Sequence, residues 1–500
     1  VTFKEGGTNF TNSLLVGTSG TGTLSSADGN TGVGTGVFAA LTSGDNNVAV
    51  GLNALTTNTT GSSNIAIGLC SLRLNSTGAG NTSLGTNSLR CNTTADDNVA
   101  IGRSSLRDTT TGATNTAVGT SALNANTTGT NNTAVGKSAL QANTTANDNV
   151  AVGRCSLKTN TTGASNTAVG QNSLFNSTTA SDNTALGHQA LFTNTTGACN
   201  TAVGKCSLFS NTTGCQNVAV GTCSLSANTD AFKNVAVGFE AGKDNTTADN
   251  LTAIGFQAAQ NNTTGGGNTG VGSAALNTNT TGASNTAIGS GALYANTTAS
   301  DNTAVGASAL DTNTTGASNT AVGKNALTAN TTGNCNVAVG IGALDLNTTG
   351  TDNVAVGRDA GGCQTTASNN VAIGAATLFK NTGANNTAVG YLASMCNTTG
   401  ADNAAFGRQA LQSNTTAAQN VAIGTCALYT TTTGANNTSV GNYSSKLNTT
   451  GLNNVSVGYA ALCSNTTGQQ NVAVGKSAGD VTTTGSNNIM IGKGSDADAS

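Results

Sequence analysis

Proline is absent from all 500 residues, and so is tryptophan. Proline removes a backbone donor and is confined to sheet edges and bulges, so its absence suits a hydrogen-bonded ladder that runs the length of the chain. Charge is scarce, at 8% of residues, with 18 Lys and Arg against 21 Asp and Glu. No basic block or interleaving of basic and aromatic residues exists to track a phosphate backbone, which argues against nucleic acid as a partner. Apolar runs never exceed a few residues, so membrane insertion of this segment as a helix is not expected. The chain opens Val-Thr-Phe-Lys, with neither a charged leader nor an apolar h-region. It is therefore read as processed or excerpted, with any secretion signal or anchor outside it.

What is abundant is periodic. A glycine recurs every 17 residues from Gly17 through Gly374, one residue is missing before Gly390, and the spacing resumes to Gly492, giving 29 repeats. The unit between Gly119 and Val135 is typical: Gly-Thr-Ser-Ala-Leu-Asn-Ala-Asn-Thr-Thr-Gly-Thr-Asn-Asn-Thr-Ala-Val. Each such unit can bury its apolar side only against its neighbours, which makes one repeating body out of the chain and leaves no room for a separate catalytic domain. The segments before the glycine alternate with period 2 and are β-branched, and a leucine recurs four residues after it, so two short strands per unit are expected. With no helical crossover between them, the predicted fold is an all-β, parallel β-solenoid of 29 coils with a 17-residue period. At the spacing of paired strands that is a rod of roughly 140 Å. Residues 1–12 are a lead-in, 13–495 a single continuous solenoid and 496–500 a tail. The nearly pure Val/Ile column just before the glycine is expected to face inward, so that Val203→Asp would open the coil. The thin core favours an oligomer.

An asparagine stands four residues before the glycine in 27 of the 29 repeats. Asn47, Asn64, Asn98, Asn132, Asn166 and Asn200 are thus candidates for a stacked amide ladder at a corner of the coil. The stretch Asn132 to Ala139, Asn-Thr-Ala-Val-Gly-Lys-Ser-Ala, resembles the Asn-Ser-Val-Ala-Ile-Gly repeat of trimeric autotransporter adhesin heads. That resemblance covers about half of each unit and implies a left-handed β-roll, three chains about a common axis and an adhesive role. The longer unit, with its Asn-Thr-Thr-Gly corner, also resembles shaft repeats of tail-fibre-like surface proteins that end in a self-cleaving chaperone domain. Together these imply an extracellular location, on a cell or virion surface, with a receptor or surface glycan as the outside partner.

Chemistry-bearing residues are sparse. His188 is the one histidine, and a solvated imidazole without a nucleophile is a poor catalyst, so no enzyme activity, metal or cofactor is expected. The 12 cysteines are scattered over several columns, and only Cys206 and Cys223 share a column on adjacent repeats, where strand spacing makes them a candidate disulfide. The Asn-Thr-Thr corner presents Asn-x-Ser/Thr, making Asn58, Asn75, Asn126, Asn194, Asn279, Asn347 and Asn465 candidate glycosylation sites against a plain turn role. Regularly spaced threonines also raise an alternative function, a surface-binding module for ice or glycan. Finally, Asp five before the glycine correlates with a basic residue one after it: Asp97 with Arg103, Asp148 with Arg154, Asp182 with His188, Asp352 with Arg358 and Asp402 with Arg408, while Asp301 is followed by Ala307. Nearly 20 Å apart along an extended segment, the partners cannot meet within a coil. They are candidate inter-chain ion pairs in a threefold assembly.

Overall fold

The computed structural model describes residues 2–5, 8–17 and 21–496. The lead-in is thus described in part, and of the expected tail only residue 496. Two compact units, Val1–Asn250 and Leu251–Ser500, divide the chain, and each is a parallel β-solenoid. All regular elements among the described residues are strands.

In the first unit, Thr2–Glu5 pairs antiparallel with Leu14–Gly17, and Phe10–Thr11 pairs parallel with Ala27–Asp28. The lead-in therefore belongs to the hydrogen-bonded structure. From Thr31–Val33 onward a three-residue strand recurs once per coil, as in Thr116–Val118 and Thr133–Val135, up to Val235–Val237. Neighbours pair in parallel with every residue opposite its counterpart 17 positions on: Thr116 with Thr133, Ala117 with Ala134, Val118 with Val135. The second unit repeats the pattern from Thr252–Ile254 to Ile489–Ile491. Its one short coil pairs Val371 with Thr387 and keeps the strands in register. The missing residue is taken from the corner, where Asn381 Nδ2 donates to Gly383 O at 2.7 Å instead of reaching a carbonyl three residues on, as Asn397 does to Gly400 O.

One strand per coil is formed, not two. The leucine lies in a turn with left-handed backbone, Leu123 at φ 49 and Leu140 at φ 51. For a bulky residue this conformation costs roughly 1–3 kcal/mol. Full burial of the side chain, as at Leu123 and Leu140, returns about 1.5–3 kcal/mol, and Leu123 N donates to Ala139 O of the next coil at 3.0 Å. The column glycine sits at φ +136 in Gly119, and a Cβ there would stand 2.6 Å from Gly136 O, so no other residue fits while the coils stack this closely.

The strand faces the opposite way from the sequence expectation. Alanine points inward: Ala117, Ala134, Ala151 and Ala202 are fully buried. The β-branched residues on either side point out, with Ile67 and Val135 each 37% exposed. Val203 is half-buried on the outer face. The walls of the coil approach so closely that only a methyl group fits between strand and leucine. Exceptions prove the dimension by compensating one another. Gly32 in the alanine column faces Phe38 in the leucine column, where a Cβ on Gly32 would come within 3.0 Å of the ring, and Met490 in the alanine column fills the gap left by Gly479 in the leucine column.

Candidate interaction surface

Two asparagine columns account for most of the buried polarity. The first is the expected ladder. Asn47, Asn64, Asn98, Asn132, Asn166 and Asn200 are fully buried. Asn132 donates its backbone N–H and its Nδ2 to Asn115 Oδ1 of the preceding coil at 3.0 and 3.1 Å, and its second Nδ2 proton to Ala146 O of the following coil at 2.9 Å. One side chain thus ties three coils together.

The second column consists of the sequon asparagines, and the glycosylation expectation is corrected here. Asn58, Asn75, Asn126, Asn194, Asn279, Asn347 and Asn465 are fully buried. Their Nδ2 atoms, which would carry the sugar, donate to the corner carbonyl three residues on, at 2.8 Å in Asn58, 3.0 Å in Asn126 and 3.1 Å in Asn465. Within the column, Asn143 Nδ2 reaches Asn126 Oδ1 at 2.9 Å. A glycan on such a nitrogen has no space in the folded coil and displaces both bonds, so Asn-Thr-Thr is explained by internal bonding. Where the column is interrupted, an oxygen is orphaned: Asn92 Oδ1 precedes Thr109, Asn160 Oδ1 precedes Ser177, and Asn414 Oδ1 precedes Thr431.

With the asparagines turned in, one outer surface is made by the strand's Thr/Val/Ile columns and the columns flanking them, and the exposed corner threonines, such as Thr94 and Thr128, belong to another. Neither strand column holds a charged residue in any repeat. On one flank stand Asp97, Asp148, Asp182, Asp352 and Asp402, all exposed and all left-handed, with φ between 55 and 60. Asp tolerates that backbone well, which accounts for its place in the column. Asp148 accepts a hydrogen bond from Asn131 Nδ2, and Asp402 from Asn385 Nδ2, each at 3.1 Å. On the other flank stand Arg103, Arg154, His188, Arg358 and Arg408, also exposed. No Asp of this set pairs with its Arg inside the chain. Among the described residues the ion pairs are Arg107–Asp108, Lys243–Glu240 and Arg358–Asp359, the last at 3.5 Å.

Cys206 and Cys223 occur as free thiols, both half-buried. They line one shallow groove with Gln189 and Phe209, of about 360 Å³. Burial, and then the neighbouring Cys223, push the Cys206 thiol pKa up, with Lys205 opposing. Sequence reading missed the aromatic column beside this groove. Phe175, Phe192 and Phe209 stack at centroid distances of 5.3 Å, and the signal was Phe at one repeat position three times running. A second groove of about 350 Å³ in the other unit is lined by Tyr443, Lys446, Tyr459 and Cys463. Among the described residues no three His, Cys, Asp or Glu side chains converge as metal ligands would, and no helix is long and apolar enough to cross a membrane. No protein-family model matches the chain, and no curated protein matches it.

Proposed function

We propose that this chain is a structural segment of an extracellular fibre or adhesin, a shaft or head that acts by presenting and extending a surface and carries no catalytic activity. The observation that carries this reading is the division of labour in the repeat. Both buried asparagine columns are committed to coil-to-coil bonding, while the strand face outside is uncharged from repeat to repeat. Such a surface suits association with copies of itself, with a receptor or glycan contacted elsewhere on the fibre. The resemblance to autotransporter heads implies three chains; the placement of charge points to another geometry, derived below. The test is immunogold labelling of intact cells or particles of the source. Label along surface fibres supports the reading, and label confined to the interior overturns it.

A second reading, ice binding, gains from one finding. The threonines that face outward on the flat sheet include Thr116, Thr133 and Thr167 of the strand itself, besides those of the corner. A flat lattice of Thr and Val methyls at roughly 4.8 Å by 7 Å is a surface on which water can order. Thermal hysteresis of the purified chain decides it: a gap between melting and freezing points supports ice binding, and none rules it out.

A further inference from the structure

We infer that the outer sheet face of each unit is covered by the same face of a second copy of this chain, the two running parallel, in register, and related by a twofold axis along the direction in which coils stack. The inference rests on the reading of the chain as a self-associating structural segment and specifies how it associates.

The strand face lacks charge in all repeats, yet its two borders differ in sign. The border five residues before the glycine holds six Asp and a single basic residue, Lys233; the border one residue after it holds Arg, Lys or His in many repeats and never an acid. Left-handed backbone explains Asp and Asn on the first border. It says nothing about why an Arg stands six residues later in the same repeat.

Symmetry does explain it. When two identical faces meet about a twofold axis parallel to the stacking direction, the left border of one lies over the right border of the other at the same height. Asp148 then faces the partner's Arg154, and Arg154 faces the partner's Asp148; the other pairs close in the same way, repeat by repeat. The correlation within one repeat is what such a contact demands, since no other repeat is brought opposite. The one cation of the Asp border, Lys233, lies over its own Phe232 ring at 5.5 Å and is brought opposite the partner's uncharged Phe239, and nowhere do two charges of one sign meet. Antiparallel faces put Asp opposite the Asp border and Arg opposite the Arg border, which is unfavourable. Sheets pack about 10 Å apart when small residues such as Val and Thr interdigitate, a gap that an Arg and an Asp can bridge from the edges. Across its borders the face is about 20 Å wide, and a dozen coils extend it about 60 Å, so each copy buries on the order of 1,200 Å², more than the roughly 800 Å² per partner of a standard stable interface.

Sedimentation equilibrium of the full chain, kept reduced because of its 12 cysteines, tests this with Asp148→Arg, Arg154→Asp, the two variants mixed one to one, and the double reversal. Both positions are exposed, and circular dichroism confirms that the variants fold. The expected result is a wild-type mass twice the 48.5 kDa of the chain, dimerisation weakened at least tenfold in each single variant and more so as the reversed charges are unscreened at low salt, and recovery in both the mixture and the double reversal. A mass of one chain, a mass of three, or a mixture no tighter than the single variants overturns the paired face. Each of those outcomes is compatible with surface fibres in the labelling experiment, whereas interior label sinks the broader reading whatever the mass.

Discussion

Ser177→Asn should stabilise the protein, because Ser177 is a gap in a column built for asparagine. In the intact run that follows, Asn211 Nδ2 donates to Asn194 Oδ1 at 2.8 Å and Asn228 Nδ2 to Asn211 Oδ1 at 2.7 Å. At the gap, both Asn160 Oδ1 and Ser177 Oγ are buried without a partner. The backbone there already has the shape that asparagine takes: Ser177 N donates to Leu174 O at 3.3 Å, as Asn160 N does to Leu157 O. An introduced amide can donate to Asn160 Oδ1 and accept from Asn194 Nδ2. Each buried orphan costs about 1–3 kcal/mol, and fixing the new side chain takes back part of the gain, which leaves a net stabilisation of about 2 kcal/mol. Repeat arrays need not unfold in one step, so a global midpoint is the wrong readout. Amide hydrogen exchange between residues 174 and 194 is the right one, and 2 kcal/mol slows it about 30-fold. Asn143→Ser makes the reverse change, orphaning Asn126 Oδ1, and should speed local exchange by a similar factor. If Ser177→Asn exchanges no more slowly than the parent, or Asn143→Ser exchanges no faster, the amide column does not carry the stability assigned to it.

Ala202→Asp should open the coil at a cost of several kcal/mol, since that side chain is fully buried, whereas Val203→Asp should leave the circular dichroism spectrum of the chain nearly unchanged and show itself as weakened dimerisation, since Val203 stands on the outer strand face that meets the second copy. Cys206 should react with a thiol alkylating agent at pH 8 more slowly than the exposed Cys199, and gain on it as pH rises, because burial lifts its pKa and withholds the thiolate; peptide mass mapping after timed labelling reads the order. Burial also raises the Asp311 carboxyl pKa. A carboxyl with a folded pKa above its unfolded one favours folding when protonated, and that preference is lost as pH rises through the folded value. Asp311→Asn should therefore stabilise at pH 7 and make no difference near pH 3, as measured by local exchange or denaturant midpoint at the two pH values.

Much of this was legible in the sequence. The glycine period gave the coil length, the lack of proline matched the strand ladder within each unit, and the near-invariant asparagine marked a stacked corner. The phase of the strand was not legible from its alternation, because period 2 says that neighbours face opposite sides without saying which side is in. Hydrophobicity misled, since Val and Ile look like core beside Ala. Size was the better signal. After Leu15 in the first coil, the alanine column admits Gly32, Ser83, Gly270, Ser439 and Ser456, with Met490 opposite a glycine, while the outer columns range from Ala404 to Phe406; a position that so rarely takes bulk is the one with a wall behind it. The sequon reading failed for a related reason: glycosylation motifs specify residue types, and a buried ladder selects the same Asn and Thr.

The direction of the amides in the second asparagine column has an electrical consequence. Asn75 points its N–H at Asn58, Asn143 at Asn126 and Asn211 at Asn194, always toward the earlier coil. Their dipoles therefore add head to tail, as peptide units do in a helix, and each bond polarises the next. A single amide cannot turn over alone, because it would set oxygen against oxygen on one side and N–H against N–H on the other. Orientation is thus a property of a whole run, and the second Nδ2 proton of each amide, held by the corner carbonyl three residues on, fixes the run in this one sense. A run of this kind ends with a bare oxygen on its later side, which is where Asn92 and Asn160 leave theirs.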